Sequence, residues 1–265
     1  MSRHNEIEGL AELVAQDQGR CDRVDPAAIA AAYGISFSFG HYEDAFDGLL
    51  ECKASRFHIY INVDSNRGKD SPRARFSFAH ELGHYFIDWH RCALERGAPP
   101  HGSESDFTSF ISVEREADLF AANLLLPKES VRRAVGKRIG VGEIQKLAEQ
   151  FGTSLSATAI RCAQLNLAPL IVMRWSASGR MWCWSSENFS QLTGNKAYRA
   201  LDKIPFDSVT RQTIDSGHEL TTDARGTTLA TWFPSIYRGG QADEILLEEC
   251  VGLGRYGVLT VLRPA

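Results

Sequence analysis

The chain has 265 residues, of which 43% are hydrophobic and 23% charged, and its formal net charge is −4. This composition is that of a globular protein with one large or two small domains, and the slight negative charge gives no support to a nucleic-acid partner. The first residues lack the apolar stretch of a signal peptide, no apolar run is long enough to span a membrane, and the cysteines form no C-x-x-C pair. We therefore expect a cytoplasmic protein with reduced thiols and no membrane contact.

In chain order, hydrophobic spacing first predicts several helices and two strands. The helices cover residues 6–16, 25–32, 71–89 and 113–126, and the strands cover residues 35–39 and 57–63. Two helix starts carry a clear capping signal, because Asp25-Pro26 and Ser71-Pro72 each place an acceptor side chain directly before a proline. Residues 91–112, rich in Gly, Pro, Ser and His, are predicted to form a loop.

The character of the chain changes near residues 166–169. Before this point, helical patterns cover residues 128–138 and 143–151, and a turn at 152–154 leads into a helix that ends near Leu165. After it, strand-like stretches cover residues 170–175, 181–184, 228–237, 244–250 and 257–262, the first two as a hairpin. The sequence therefore predicts an α+β fold with a boundary at 166–169.

The most informative motif is H-E-x-x-H, formed by His80-Glu81-Leu82-Gly83-His84 on the predicted helix 71–89. Residues four apart lie on one face of a helix, so both imidazoles can bind one metal ion, and Zn²⁺ is the ion this motif most often holds. Glu81 lies beside the open coordination position, where a general base can take a proton from water. The alternative is a pair of core histidines that bind neighbouring carbonyl groups.

The third metal ligand must come from elsewhere in the chain, and His90 is the first candidate. It occupies the third-histidine position of H-E-x-x-H-x-x-G-x-x-H, but Ile87 stands where that pattern needs glycine. On an unbroken helix, His90 would point about 240° away from His84. We therefore expect His90 to be a helix C-terminal residue that the helix dipole favours, and not a ligand.

Glu114, on the predicted helix 113–126, is the better candidate for the third ligand. Asp118 follows four residues later on the same face, where it can accept a hydrogen bond from the far nitrogen of a ligand histidine. Glu116 competes with Glu114 but points about 200° away on the same helix. A solvated surface carboxylate is the alternative interpretation of Glu114.

Two segments of the chain resemble the ImmA/IrrE metallopeptidases. Residues 75–84, RFSFAHELGH, are similar to the family pattern R-F-T-x-A-H-E-x-G-H, and residues 114–127, EREADLFAANLLLP, are similar to E-x-x-A-N-x-F-A-A-x-L-L-M-P. The chain departs from these patterns at Ser77, Asp118 and Leu126, where the family has Thr, Asn and Met. An aspartate at 118 resembles the E-x-x-x-D pattern of thermolysin-like enzymes, so the departure keeps the site intact.

The resemblance implies a zincin-like metallopeptidase domain over residues 1–130, with a small mixed sheet and the two metal-binding helices. Relatives that degrade repressors have a helix-turn-helix region after this core, which corresponds here to residues 131–167. Residues 168–265 would form a smaller, strand-rich α+β domain. In the radiation-response members this position holds a GAF-like domain, which implies a sensing or partner-binding role.

Two other stretches have a functional and an ordinary interpretation. Residues 143–165 have helix-turn-helix spacing, which is typical of DNA binding. The second helix carries only one basic residue, Arg161, which is too few for binding to phosphates. The alternative interpretation is a helical pair that packs on the peptidase core or docks a protein substrate. Residues 56–64 form a candidate edge strand that a substrate could extend, with His58 or Tyr60 in contact with the substrate or its oxyanion. An ordinary half-buried strand is the alternative.

We therefore predict a cytoplasmic zinc metalloprotease. His80, His84 and Glu114 bind Zn²⁺, Glu81 is the general base and Asp118 orients a ligand histidine. By resemblance, the protein substrate is a helix-turn-helix repressor that is cut once in a stress response, which derepresses its target genes. Two alternatives stay open: a metal-bound regulatory protein that inactivates its partner without proteolysis, and a DNA-binding regulator that uses residues 143–165.

Overall fold

A computed structural model describes residues 2–17, 23–98, 112–136, 138–192, 203–217, 221–234 and 244–265. The chain divides into two compact units, one of residues 1–131 with 149–154 and one of residues 132–148 with 155–265. Helices combine with a three-stranded and a five-stranded sheet, which confirms the predicted α+β class. The division into 1–130, 131–167 and 168–265 stays a prediction. Within the described ranges, none of the helices combines the length and the apolarity that crossing a membrane requires.

The first unit holds the H-E-x-x-H motif. Its elements are α1 (Arg3–Asp17), α2 (Pro26–Ala32), β1 (Ser36–Gly40), β2 (Gly48–Lys53), β3 (Arg56–Asn62), α3 (Pro72–Phe86), α4 (Asp88–Glu95) and α5 (Ser112–Leu125). The helices α6 (Lys128–Ala134) and α7 (Val141–Phe151) contain residues of both units. The predicted caps are present, since Asp25 accepts from the Ala27 amide and Ser71 from the Ala74 amide, each at 3.0 Å.

The small sheet has the order β1-β3-β2, with β3 parallel to β1 and antiparallel to β2. The prediction that residues 56–64 form an edge strand is therefore wrong, because both sides of β3 already pair with neighbours. The edge strand next to the motif helix is β2, which the hydrophobic pattern did not predict. Ile59 and Ile61 of β3 are fully buried and join α3 and α5 in the core of this unit.

The motif helix is shorter than predicted. It ends at Phe86, because Ile87 adopts an extended conformation (φ −76°, ψ 108°), and α4 begins at Asp88. No glycine or proline marks this break; instead the Ile87 side chain is 1% exposed and belongs to the core. The prediction of an unbroken helix to Trp89 is wrong, and so is the placement of His90 at a helix C-terminus, since it lies in the first turn of α4.

The two helices that carry the predicted ligands approach each other closely at Gly83. A Cβ atom added there would lie 3.1 Å from Ala117 Cα and 3.3 Å from Phe120 Cβ. Backbone atoms cannot move aside as a flexible side chain can, so any larger residue would push α3 away from α5. Gly83 thus permits the spacing that brings the histidines near Glu114.

Replacing Gly83 with alanine should lower the free energy of unfolding by ~1–3 kcal/mol, because the added methyl group overpacks the helix contact. Gly9→Ala is the matched control, since Gly9 is an exposed residue of α1 whose added Cβ would meet nothing within 4 Å. The control should raise stability by ~0.5–1 kcal/mol through helix propensity. Urea denaturation measures the free energy of unfolding of both variants. An equal increase at both positions would show that the contact between α3 and α5 can accommodate a methyl group.

The second unit is built on an antiparallel sheet with the order β5-β4-β8-β7-β6. Its further elements are α8 (Leu155–Gln164), β4 (Ile171–Ser176), β5 (Gly179–Ser185), α9 (Glu187–Leu192), α10 (Val209–Asp215), β6 (Arg225–Thr228), α11 (Leu229–Trp232), β7 (Ile245–Gly252) and β8 (Val258–Pro264). The predicted β4–β5 hairpin is confirmed. The predicted strand 228–237 is wrong over Leu229–Trp232, a short helix capped by Thr228, and its part from 235 onward lies outside the described residues.

Candidate metal centre

The predicted ligands His80, His84 and Glu114 come together at the contact between α3 and α5. His80 Nε2 lies 3.1 Å from His84 Nε2 and 3.0 Å from Glu114 Oε2, and His84 Nε2 lies 3.6 Å from Glu114 Oε1. Both histidines are buried. One turn of α3 separates them, so the helix itself places both rings on the same side.

The spacing of these atoms suits a small divalent cation. Zinc bonds to imidazole nitrogen and carboxylate oxygen are about 2.0–2.2 Å long, which puts the ligands of a tetrahedral site about 3.3–3.5 Å apart. The three observed separations of 3.0, 3.1 and 3.6 Å bracket this value. Two imidazoles and one carboxylate are also a donor set that zinc accepts in hydrolytic enzymes. These residues can therefore hold a metal ion, and their ligand atoms all lie within 4.8 Å of one another.

Asp118 lies behind His80. Its Oδ1 is 2.8 Å from His80 Nδ1, on the side of the ring that faces away from Glu114. A carboxylate can only accept, so Nδ1 carries a proton and Nε2 points to the group of ligands, where a bound metal ion would take its lone pair in place of a proton. Asp118 thus fixes both the tautomer and the orientation of the ring.

The electrostatics of the centre favour a bound positive charge. Burial acts to lower the pKa of His80, but its hydrogen bonds to Asp118 and Glu114 outweigh that effect and raise the pKa to about 10. Burial acts in the opposite direction on Glu114, yet the hydrogen bonds from His80 and His84 hold the pKa of this carboxyl well below its usual range. Carboxylates therefore surround the imidazoles, and a cation placed between them would be stabilised.

Glu81 is completely buried and lies against the edge strand β2. A Cβ atom at Gly48 would come within 2.6 Å of Glu81 Oε1, so glycine at this position makes room for the carboxylate. Glu81 and His84 also line the same cavity. Sequence reasoning missed Gly48, because its role depends on the pairing of β2 and not on any local pattern.

Glu116 belongs to a different cluster from Glu114, as the helical geometry predicted. Its carboxylate accepts hydrogen bonds from Trp89 Nε1 at 2.8 Å and His90 Nε2 at 3.0 Å, and it pairs with Arg3 at 2.9 Å.

The break at Ile87 turns His90 back towards the motif helix, so that its ring centre lies 5.1 Å from that of His84. Burial and the nearby His84 lower the pKa of His90 to about 4. The extended H-E-x-x-H-x-x-G-x-x-H pattern was the signal that could have placed His90 near the site.

His58 and Tyr60 are not brought into this group. The two ring nitrogens of His58 lie 2.8 and 3.0 Å from the hydroxyls of Ser36 and Ser38, and Tyr60 donates to Glu51 at 3.2 Å. These contacts belong to the three-stranded sheet. A role for either residue in substrate binding stays a prediction.

Comparisons with known proteins give two findings. Residues 58–163 match the Peptidase M78 family model, described as the IrrE N-terminal-like domain. The solved structure of a Mycobacterium tuberculosis transcriptional regulator is similar in fold, with a TM-score of 0.61 and 14% identity, over 99% of this chain and 78% of that chain. Comparison with curated proteins gives no match.

The matched region contains the whole H-E-x-x-H helix and the helix of Glu114. The family is one of metallopeptidases, and the match agrees with the ligand geometry observed at the contact between these helices. The resemblance predicted from the sequence is confirmed: residues 58–163 match the model of the IrrE N-terminal-like domain, Peptidase M78.

Proposed function

We propose that the chain is a cytoplasmic zinc metalloprotease that makes one regulatory cut in a helix-turn-helix repressor. The observation that carries this proposal is the convergence of the ligand atoms of His80, His84 and Glu114, all within 4.8 Å of one another, beside the buried Glu81. Such a constellation is the one that hydrolytic zinc sites use. The family match over residues 58–163 supports the peptidase assignment independently.

The roles of the residues follow from their positions. A zinc ion held by His80, His84 and Glu114 would polarise a substrate carbonyl and make water a stronger acid. Glu81 lines the cavity next to His84, where its carboxylate can accept a proton from the attacking water and return it to the leaving amine. Its burial excludes bulk water, which would otherwise compete for the same proton.

Asp118→Asn tests the orienting role of the residue behind His80. An amide of the same shape loses the negative charge and can present its NH₂ group to Nδ1, so the lone pair of His80 Nε2 is no longer fixed towards the ligands. We expect zinc affinity to fall by about 10–100-fold. Competition with a chromophoric chelator measures it. Asp88→Asn, at a surface carboxylate whose side chain is 76% exposed, is the control and should leave affinity unchanged.

The edge strand β2 is the place where a substrate segment can add to the sheet. Its partner β3 occupies one side, and β2 is the terminal strand of the three. Extended peptides bind such edges through main-chain hydrogen bonds. A Cβ atom at Gly48, the first residue of β2, would lie 2.6 Å from Glu81 Oε1, so a peptide paired with this strand would pass close to the proposed general base.

DNA binding through α7 and α8 is less well supported. Arg161, the base that residues 143–165 offered for phosphate contact on the second helix, is only 4% exposed. A buried guanidinium cannot bind a phosphate backbone. A regulatory role through protein cleavage fits better, and the structural similarity to a protein named as a transcriptional regulator supports regulation as the context.

The proposal is tested by incubating the zinc-loaded chain with each helix-turn-helix protein encoded beside its gene. We expect one of these proteins to be split into two fragments, and we expect a chelator to stop the reaction and added Zn²⁺ to restore it. Five cysteines of the described residues are free thiols, which fits assays under the reducing conditions of the cytoplasm. Absence of cleavage of any neighbouring repressor, with zinc bound, would count against the proposed substrate class.

A further inference from the structure

A cavity of about 120 Å³ lies beside the candidate metal centre, within the first unit. Its wall is mostly apolar and includes Leu50, Ala93, Leu94 and Val113. Glu81 and His84 contribute to the same wall, so whatever occupies the cavity lies next to the proposed general base and one proposed ligand. An apolar cavity at this place is suited to bind part of a substrate.

His90 also lines this cavity, and one nitrogen of its ring lacks a partner among the described residues. The residue is 4% exposed, and its Nδ1 is buried without a hydrogen-bond partner among the described residues. On the other side of the ring, Nε2 lies 3.0 Å from Glu116 Oε2. The carboxylate can only accept, so Nε2 carries the proton and Nδ1 of the neutral ring is an acceptor.

The arrangement around His90 holds this tautomer in place. Glu116 is itself held by Arg3 at 2.9 Å and by Trp89 Nε1 at 2.8 Å, and Arg3 lies over the Trp89 ring at 4.2 Å. Buried acceptors are normally hydrogen-bonded, and an unpaired one on a residue that lines a ligand-sized cavity indicates a missing donor. The mostly apolar lining therefore includes a histidine with one unpaired acceptor nitrogen.

We propose that this cavity is a specificity pocket for a branched aliphatic side chain of the substrate, in the residue next to the cut bond. A dry apolar cavity of about 150 Å³ holds a benzene ring, so a somewhat smaller one suits a leucine side chain and not a large aromatic one. His90 Nδ1 accepts a hydrogen bond from the peptide N–H of the same substrate segment. This inference rests on the proposed protease function, which it deepens by naming the preferred residue.

The test uses three peptidyl hydroxamates that differ in one side chain, that of glycine, leucine or naphthylalanine. Each is titrated calorimetrically into the zinc-loaded full chain. We expect the leucine probe to bind at least about tenfold more tightly than the glycine probe, because its side chain is removed from water. The naphthylalanine probe should lose this advantage, because it exceeds the volume of the cavity. Equal affinity for the leucine and glycine probes would overturn the pocket.

Two variants separate the pocket from the rest of the surface. Ala93→Phe fills the cavity from an exposed position of α4 and should abolish the preference for leucine. Glu95→Phe adds the same ring two residues further along the helix, at an exposed position that does not line the cavity, and should keep the preference. A preference that survives Ala93→Phe would show that the leucine side chain binds elsewhere.

The role of His90 is tested with a leucine probe whose peptide nitrogen is methylated. Methylation should weaken binding to the parent chain by about tenfold and have little effect on His90→Phe, because the acceptor is then already absent. If methylation weakened binding equally in the parent chain and in His90→Phe, the proposed hydrogen bond to His90 Nδ1 would be contradicted. Metal content and repressor cleavage are measured on the same samples. If the chain cleaves the repressor but binds the three probes equally well, the specificity pocket is contradicted and the protease function is not. If it binds the leucine probe preferentially but does not cleave the repressor, the protease function is contradicted and the pocket is not.

Discussion

Replacing Glu81 with glutamine should slow repressor cleavage by about 10²–10⁴-fold while the chain keeps its fold and its metal. The amide has the shape of the carboxylate, so it fits the buried space beside Gly48, but it cannot take a proton from water. None of the three proposed ligand atoms is removed by this change. Intact mass spectrometry of the repressor over time measures the rate, and metal analysis of the variant confirms that the centre is occupied.

The same variant separates proteolysis from simple binding. Glu95→Gln, at an exposed position of α4, serves as the control and should cut at the parent rate. If the chain inactivates its partner only by binding it, Glu81→Gln would still derepress the target genes in cells. Derepression that persists together with an uncut repressor would therefore contradict the catalytic role of Glu81.

Replacing Glu114 with glutamine should lower zinc affinity by more than about 100-fold, since the loss of a ligand should exceed the 10–100-fold cost of losing a group behind one. Glu114 lies within 3.6 Å of both ligand nitrogens, and a neutral amide is a much weaker donor for zinc than a carboxylate. We expect cleavage to fall in parallel. Chelator competition measures the affinity.

Glu116→Gln is the matched control, because it makes the same chemical change two residues away on the same helix. Glu116 contacts Arg3, Trp89 and His90 and none of the proposed ligands. The zinc affinity of the Glu116→Gln variant should stay close to that of the parent chain. If Glu116→Gln lost the metal and Glu114→Gln kept it, the third ligand would have been assigned to the wrong residue.

Local signals account for the parts of the structure that could be predicted. Asp25-Pro26 and Ser71-Pro72 specify helix starts through a single side-chain acceptor, which needs no tertiary contact. The four-residue spacing of His80 and His84 fixes the relative direction of their rings for the same reason. Helical spacing also favoured Glu114 over Glu116 as the third ligand, but the distance between Glu114 and the two histidines could not be predicted, because no local rule states where two helices meet.

Tertiary packing decided the features that could not be predicted. Ile87 leaves the helix although nothing in the neighbouring residues breaks one, because its side chain is buried in the core. Because of this break, His90 does not point away from the candidate metal centre, and its ring centre lies 5.1 Å from that of His84. Likewise, which strand of the small sheet is central depends on pairing between distant segments, so the assignment of residues 56–64 to the edge failed.

The most direct test of the central claim is hydrolysis of the cognate repressor by the zinc-loaded chain in water enriched with ¹⁸O. We predict two fragments whose masses together equal that of the repressor plus one water, with the heavy oxygen in the new carboxyl group of the N-terminal fragment. The fragments should be absent with Glu81→Gln. A repressor that remains at its original mass while its target genes are derepressed would contradict the account.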